Sequence, residues 1–116
     1  RTENLRRIGE VGKLFLDAGI VTLAAFISPI RKDREMLRAM FAPGEFLEIY
    51  CSASLEVCER RDLKGMYRQA RDEVIPEFTG ISSPYETPQD PELEVNTGEL
   101  SLSESVKKVL LLLEFN

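Results

Sequence analysis

The sequence predicts an α/β fold built around a parallel sheet. Three observations lead there: a nearly unbroken apolar run at 20–27 (IVTLAAFI), a second short apolar stretch at 46–51, and helix-period segments that alternate with both. The length of 116 residues, 43% of them hydrophobic, suits one small domain with a genuine core. Thr22 interrupts the longest apolar run, which falls far short of the ~20 residues a membrane span needs, so no membrane partner is expected.

Residues 3–18 read as a helix, because Leu5, Ile8, Val11, Phe15 and Ala18 recur at spacings of three and four. Thr2 is the expected N-cap and Gly19 the expected stop. Gly9 and Gly12 weaken helix propensity but leave room for a neighbouring element to approach. Residues 20–27, set between Gly19 and Ser28-Pro29, are expected to form a central strand buried on both faces. Residues 30–41 suit a helix with Arg31, Arg34 and Arg38 along one side. A second strand is expected at 46–51, where Glu48 alternates with Leu47 and Ile49. Ser54 is positioned to cap a short helix at 55–61, and 64–74 reads as a basic helix. Residues 75–91 contain Pro76, Gly80, Pro84, Pro88 and Pro91 and are expected to be a long loop. A short strand at 93–97 precedes a last helix that opens at Ser101 or Ser103, with Val106, Val109, Leu110 and Leu113 inward. Parallel sheets bind ligands beyond the carboxyl ends of their strands, which directs attention to 28–34, 52–64 and 97–101.

Composition removes several classes of chemistry. The chain has no His, so Ser-His and Cys-His nucleophile pairs and His-containing zinc sites are excluded. Cys51 and Cys58 are the only cysteines, too few for a disulfide framework. The formal net charge is −5, which argues against nucleic acid as a partner. That charge is unevenly spread: residues 1–71 carry 13 basic and 10 acidic side chains, whereas residues 72–116 carry 2 and 10. The cationic front half suits an anionic ligand, although two ordinary solvated helix faces produce the same count. The polar start shows no secretory leader, and the cytoplasm is the expected compartment. The chain opens on Arg rather than Met and is expected to be part of a longer protein.

Four segments carry candidate chemistry. In ISPIRKDR (27–34) a strand end delivers Ser28 to the ligand edge, and Arg31 and Arg34, one helical turn apart, could bracket an anion. The plainer alternative is a capping serine with solvent-facing arginines. In ERRDLKGMYRQAR (59–71) the cations Arg60, Arg61, Lys64, Arg68 and Arg71 surround a Lys64-Gly65 break. A basic helix and loop beside a parallel sheet has the layout of a lid that closes over transferring phosphates, and equally that of a charged surface helix. In EFTGISSPYETP (77–88) Phe78 and Tyr85 are loop aromatics, able to stack on a purine or to pin the loop to the body. In RTENLRR (1–7) Arg1, Asn4 and Arg7 recur every three residues near a helix N-terminus, a setting that suits an anion or ordinary capping. No G-x-x-x-x-G-K-[ST] phosphate cradle occurs.

Taken together, ENLRRIGEVGKLFLDAGIVTLAAFISPIRKDR, ERRDLKGMYRQAR and FTGISSPYETP resemble the adenylyl-sulfate kinase (APS kinase) family, in register from Arg1 to about Leu113. The shared patterns are ISP-x-R-x-DR, RD-x-KG-x-Y and FTGI-x-x-x-YE-x-P. The sequence departs from the family pattern at Pro76-Glu77 and over 92–104. The resemblance implies a three-layer P-loop kinase-like parallel sheet, with residues 1–116 forming a partial kinase domain and about 62–88 its lid. The phosphate loop would lie upstream, in a further ~70–80 residues, a length in keeping with ordinary domain sizes.

The resemblance also implies a reaction: transfer of the γ-phosphoryl of ATP to the 3′-hydroxyl of adenosine 5′-phosphosulfate (APS), giving PAPS, with Mg²⁺ required. It assigns APS to Arg1, Asn4, Ile27, Ser28, Lys64 and Phe78, and ATP to Arg61 and Leu100. Ser28 matches the family's phosphoserine position and, with Lys64, is the catalytic candidate; Phe78 would stack on the adenine of APS. A homodimer, and fusion to or association with an ATP sulfurylase, are also compatible with the family. The alternative from a different class is a non-catalytic fragment or pseudokinase-like module that binds nucleotide or dimerises, since no phosphate loop is present in these residues.

Overall fold

The computed structural model describes residues 1–114. The chain divides into two compact units, Arg1–Phe46 and Leu47–Asn116.

The first unit contains two helices, α1 (Thr2–Asp17) and α2 (Arg31–Ala39). α1 begins and ends close to the sequence expectation, with Arg1 rather than Thr2 at the N-cap. Its C-terminus closes as a Schellman motif: the Ile20 N–H donates to the Phe15 carbonyl at 3.0 Å and the Gly19 N–H to that of Leu16 at 2.9 Å. Gly19 takes φ 80°, a conformation that an L side chain resists. The packed stripe is rotated from the predicted one. Leu5 and Gly9 are buried, whereas Val11 and Phe15 are exposed. The rotation follows from Gly9: a Cβ there would lie 2.7 Å from both Leu37 Cδ1 and Met40 Sδ, so the missing side chain is what lets α2 seat on α1. Phe46 closes the unit against Phe41 (ring centroids 5.7 Å apart) and beneath the Arg38 guanidinium, 5.0 Å above its ring.

The predicted central strand at 20–27 is not observed. The segment forms no regular secondary structure, and Val21, Leu23 and Ile27 are 72%, 75% and 69% exposed. A doubly apolar pattern records the environment a segment is suited to, but a strand also needs hydrogen-bonding neighbours. Among the described residues the only two strands pair with each other.

The second unit holds that pair, β1 (Ile49–Ser52) and β2 (Leu93–Asn96), in parallel register with Cys51 opposite Val95 and Ser52 opposite Asn96. Val95, 1% exposed, is the centre of this unit's core. Between the strands lie α3 (Leu55–Arg60) and α4 (Met66–Arg71), followed by the expected long loop. Ser54 caps α3 as predicted, its hydroxyl accepting from the Val57 N–H at 3.1 Å. α5 (Leu102–Glu114) opens with a capping box: the Ser101 hydroxyl accepts from the Glu104 N–H at 3.1 Å, and the Glu104 carboxylate accepts from the Ser101 N–H at 2.9 Å. Hydrogen bonding to the carboxylate from the Ser101 backbone N–H, and next from its hydroxyl, holds the Glu104 carboxyl below the usual carboxylate range. The inward face of α5 is also turned from the predicted one. Ser105 is buried and Val109 and Leu113 half-buried, whereas Val106 and Leu110 are exposed. An α/β architecture with a parallel sheet is therefore present, and its sheet among the described residues has two strands. No described helix is long and apolar enough to cross a membrane.

Leu5 is 3% exposed and Leu63 fully exposed, which yields a paired stability test. Leu5→Ala is expected to lower the unfolding free energy by about 2–5 kcal/mol, whereas Leu63→Ala should stay within about 0.5 kcal/mol. Urea unfolding of the full-length protein measures both; equal losses would contradict the placement of Leu5 in the core.

Candidate functional site

The first unit holds a cavity of about 310 Å³ lined by Arg1, Asn4, Leu5, Ala25, Phe26, Ile27, Ser28 and Pro29. Two chain segments, residues 1–5 and 25–29, make its walls. One is the first turn of α1, which places Arg1 and Asn4 on the same side because they are one turn apart. The other is the end of the apolar segment, where the chain turns at Ser28-Pro29 into α2. All four positions assigned to APS in this unit, Arg1, Asn4, Ile27 and Ser28, thus line one cavity.

The Ser28 wall is conformationally unusual. Ser28 has φ 37°, in the left-handed region that non-glycine residues avoid, and Pro29 behind it is fully buried. The Ser28 carbonyl accepts a 2.6 Å bond from Arg34 Nη1. Arg34 is only 8% exposed, so it does not bracket a solvent-borne anion as its spacing from Arg31 suggested. One of its N–H groups is used on that carbonyl, because a buried guanidinium requires acceptors. Its neighbour Asp33, also 8% exposed, accepts from the Thr2 hydroxyl at 2.9 Å.

The second unit contains the basic segment. A cavity of about 400 Å³ there is lined by Glu59, Arg60, Asp62, Gly65, Tyr67, Arg68 and Arg71. Lys64 and Arg61 do not line it. Lys64 is exposed on a turn closed by the Gly65 N–H to the Asp62 carbonyl at 3.1 Å. Asp62 organises that turn. Its carboxylate accepts from the backbone N–H groups of Tyr67 at 3.1 Å and Arg68 at 3.0 Å, capping α4 from four residues upstream. The bond from Arg68 is the main reason its carboxyl is held below the ordinary aspartate value, with Tyr67 and Met66 adding to it. Arg71 is engaged by Glu59 at 2.7 Å. Arg61 forms the exposed C-cap of α3.

Phe78 is half-buried and edge-on to Tyr67, with ring centroids 4.9 Å apart at 72°. Its backbone anchors the following turn: its carbonyl accepts from Ser82 at 2.8 Å and Ser83 at 2.9 Å, and its N–H donates to the Ser82 hydroxyl at 2.6 Å. Partial burial is the first cause of the raised Tyr67 phenol pKa, with Cys58 second. Tyr85 stacks on Tyr50 at 6.3 Å and so pins the loop to β1. Leu100 is half-buried at the end of a turn, its N–H donating to the Asn96 carbonyl at 2.9 Å. Among the described residues no group of three or more acidic, cysteine or histidine side chains could hold a metal ion.

The roles of Asp62, Asp33 and Thr2 were not visible in the sequence. The local pattern signals neither the cap that Asp62 provides for α4 nor a Thr2–Asp33 bond that spans 31 positions.

The parallel sheet sets the class as α/β, and the first-unit cavity presents one cationic and one amide side chain, Arg1 and Asn4, among mainly apolar walls. Comparison narrows it. Residues 1–96 match the adenylylsulphate kinase family. The chain is 59% identical over 114 residues to an adenylyl-sulfate kinase from Acaryochloris marina and 58% identical over 114 residues to one from Geotalea uraniireducens. Each alignment covers 98% of this chain, and 56% and 55% of those relatives respectively. The chain therefore spans about half the length of the curated relatives it matches. The structure superposes on a Mycobacterium tuberculosis APS kinase solved in complex with AMPPNP and APS, with a TM-score of 0.91 and 41% identity, covering 98% of this chain and 66% of that one. The chain belongs to the adenylylsulphate kinase family.

Asp62 gives a pH prediction. Its folded pKa is depressed, so its capping contribution is complete above the ordinary aspartate pKa and is lost as pH falls through the lower folded value. A carboxyl NMR titration is expected to place the Asp62 midpoint below that of an exposed aspartate, and Asp62→Ala to speed amide exchange at Tyr67 and Arg68. A midpoint at or above the ordinary value would contradict the cap.

Proposed function

We propose that this chain carries the APS-binding part of an adenylyl-sulfate kinase that transfers the γ-phosphoryl group of ATP to the 3′-hydroxyl of APS, yielding PAPS and ADP. One observation carries the reading: Arg1, Asn4, Ile27 and Ser28, assigned to APS by sequence resemblance, line a single cavity in a chain of this family. The superposition on a protein solved with AMPPNP and APS supports the same choice of nucleotides.

In the proposed reaction the 3′-oxygen of APS attacks the γ-phosphorus in line. The bond from that phosphorus to the β,γ-bridging oxygen breaks, ADP departs, and the hydroxyl proton is released. Such a transfer asks for positioning and charge stabilisation rather than covalent help, so the absence of His is no obstacle. Arg1 and Asn4 offer a guanidinium and an amide to the anionic part of APS, and Ile27 and Ser28 line the same cavity from the other chain segment. Ser28 occupies the family's phosphoserine position, and direct transfer requires no phosphorylated intermediate there. Lys64, on its exposed turn, is proposed to meet the phosphosulfate, Phe78 to stack on the adenine of APS, and Arg61 and Leu100 to contact the adenine of ATP.

The phosphate-gripping loop and Mg²⁺ binding are proposed to come from residues outside these 116. The exposed apolar segment at 20–27 supports this, since it has strand composition and no strand partner among the described residues. Homodimerisation, and fusion to or association with an ATP sulfurylase, remain proposals of the same reading, as does a cytoplasmic location. The second reading, a non-catalytic nucleotide-binding or dimerisation module, is favoured by the lack of a phosphate cradle in this sequence. APS-dependent ATP consumption by the full-length protein separates the two. Turnover that requires APS supports the kinase, and its absence in a folded protein supports the module.

Two substitutions test the second-unit assignments. Lys64→Ala should lower kcat/KM for APS about ten- to a hundredfold, as expected for a lost charge-assisted contact of about 1.5–3 kcal/mol, without moving the unfolding midpoint. Unchanged kinetics would remove Lys64 from the site. Phe78→Ala should raise the KM for APS by the equivalent of about 1–3 kcal/mol of stacking. An unaltered KM would leave Phe78 as a packing partner of Tyr67 only.

A further inference from the structure

The first turn of α2 contains two buried polar side chains that the proposed chemistry does not use. Asp33 and Arg34 are each 8% exposed, and neither lines the 310 Å³ cavity. They reach to different walls of it. Arg34 Nη1 donates to the Ser28 carbonyl at 2.6 Å, and Asp33 Oδ1 accepts from the Thr2 hydroxyl at 2.9 Å. Ser28 belongs to one wall. Thr2 does not itself line the cavity but belongs to the same first turn of α1 as Arg1 and Asn4, which form the other. Two adjacent residues of one helical turn therefore grip both walls from behind.

The alternative is that these bonds merely hold the two helices together. The packing argues otherwise. α1 and α2 already meet where Leu37 and Met40 lie over Gly9, and Phe41 approaches Gly12. Loss of the Thr2 hydroxyl, at the exposed start of α1, leaves that contact intact. What the Thr2–Asp33 bond adds is the placement of the first turn, which carries Arg1 and Asn4. What the Arg34 bond adds is a fixed carbonyl at a residue in a disfavoured backbone region, φ 37°.

We propose that Asp33 and Arg34 are positioning residues, a two-armed clamp that sets the spacing of the Arg1/Asn4 wall and the Ile27/Ser28 wall to the sulfonucleotide. The proposal rests on the APS-kinase reading and extends it to residues that do not touch substrate. The clamp acts on one substrate only, so its loss raises the KM for APS and spares that for ATP.

The test uses Thr2→Val, Asp33→Asn, Asp33→Ala, Arg34→Met and the Thr2→Val/Asp33→Ala pair in the full-length protein, with KM for both substrates, kcat and the urea midpoint as readouts. Thr2→Val, Asp33→Ala and Arg34→Met are each expected to raise the KM for APS about 5- to 20-fold, the scale of one lost positioning hydrogen bond. The KM for ATP should remain within about twofold, since only one wall pair is disturbed. Asp33→Asn keeps an acceptor oxygen and should stay near wild type. The Thr2→Val/Asp33→Ala pair should be no worse than Asp33→Ala alone, because both remove one bond. The proposal is overturned if Thr2→Val leaves the KM for APS unchanged, if the paired losses multiply, or if both KM values rise together. Should Arg34→Met fail to fold, the surface substitution Thr2→Val still decides the matter. A wild-type protein without APS-dependent turnover overturns the functional reading itself, and the clamp with it, an outcome distinct from a working enzyme indifferent to Thr2.

Discussion

A buried guanidinium bonded to a strained carbonyl is the constraint on which the candidate pocket depends. Arg34 is almost wholly removed from water, and a charge in that position is tolerated only when its N–H groups find acceptors. The Ser28 carbonyl is one such acceptor. Ser28 in turn occupies a backbone region that its side chain disfavours, and the bond from Arg34 together with the buried Pro29 holds it there. Each side supplies what the other lacks: the cation gains a partner, and the chain gains a fixed turn at the end of its most apolar segment.

The second unit solves a comparable problem with an anion. Asp62 lies in the loop before a six-residue helix, too short to persist on its own. By accepting from two of that helix's first N–H groups, it ties the helix to the turn that bears Lys64. The basic segment is thus ordered by a carboxylate within it, while Lys64 stays exposed. The acid does the structural work, and the lysine two positions on, the proposed contact to the phosphosulfate, is left at the surface.

Much of this was legible in the sequence, and the failures share a cause. Ser54 and Gly19 announced their caps, and Ser101 was one of two candidates for its cap, because capping is local: the side chain and the groups it satisfies lie within a few residues. Strand 93–97 and helices 3–18 and 55–61 were placed to within a residue or two for the same reason. The segment at 20–27 failed because a buried strand is defined by neighbours that its own residues do not encode. The faces of α1 and α5 were misjudged because periodicity finds a stripe, while the partner decides which side of it is used. On α1 that decision fell to Gly9, where a Cβ would collide with Leu37 and Met40. The site shows the same division. Arg1, Asn4, Ile27 and Ser28 emerged from motif resemblance and share a cavity, whereas the inward turn of Arg34 depends on a carbonyl no motif displays.

The most direct measurement is amide and side-chain NMR mapping of APS added to the full-length protein. Binding in the first-unit cavity predicts saturable shift changes centred on Arg1, Asn4, Ile27 and Ser28. Saturation with those four unmoved, and the changes confined to residues remote from that cavity, would contradict it.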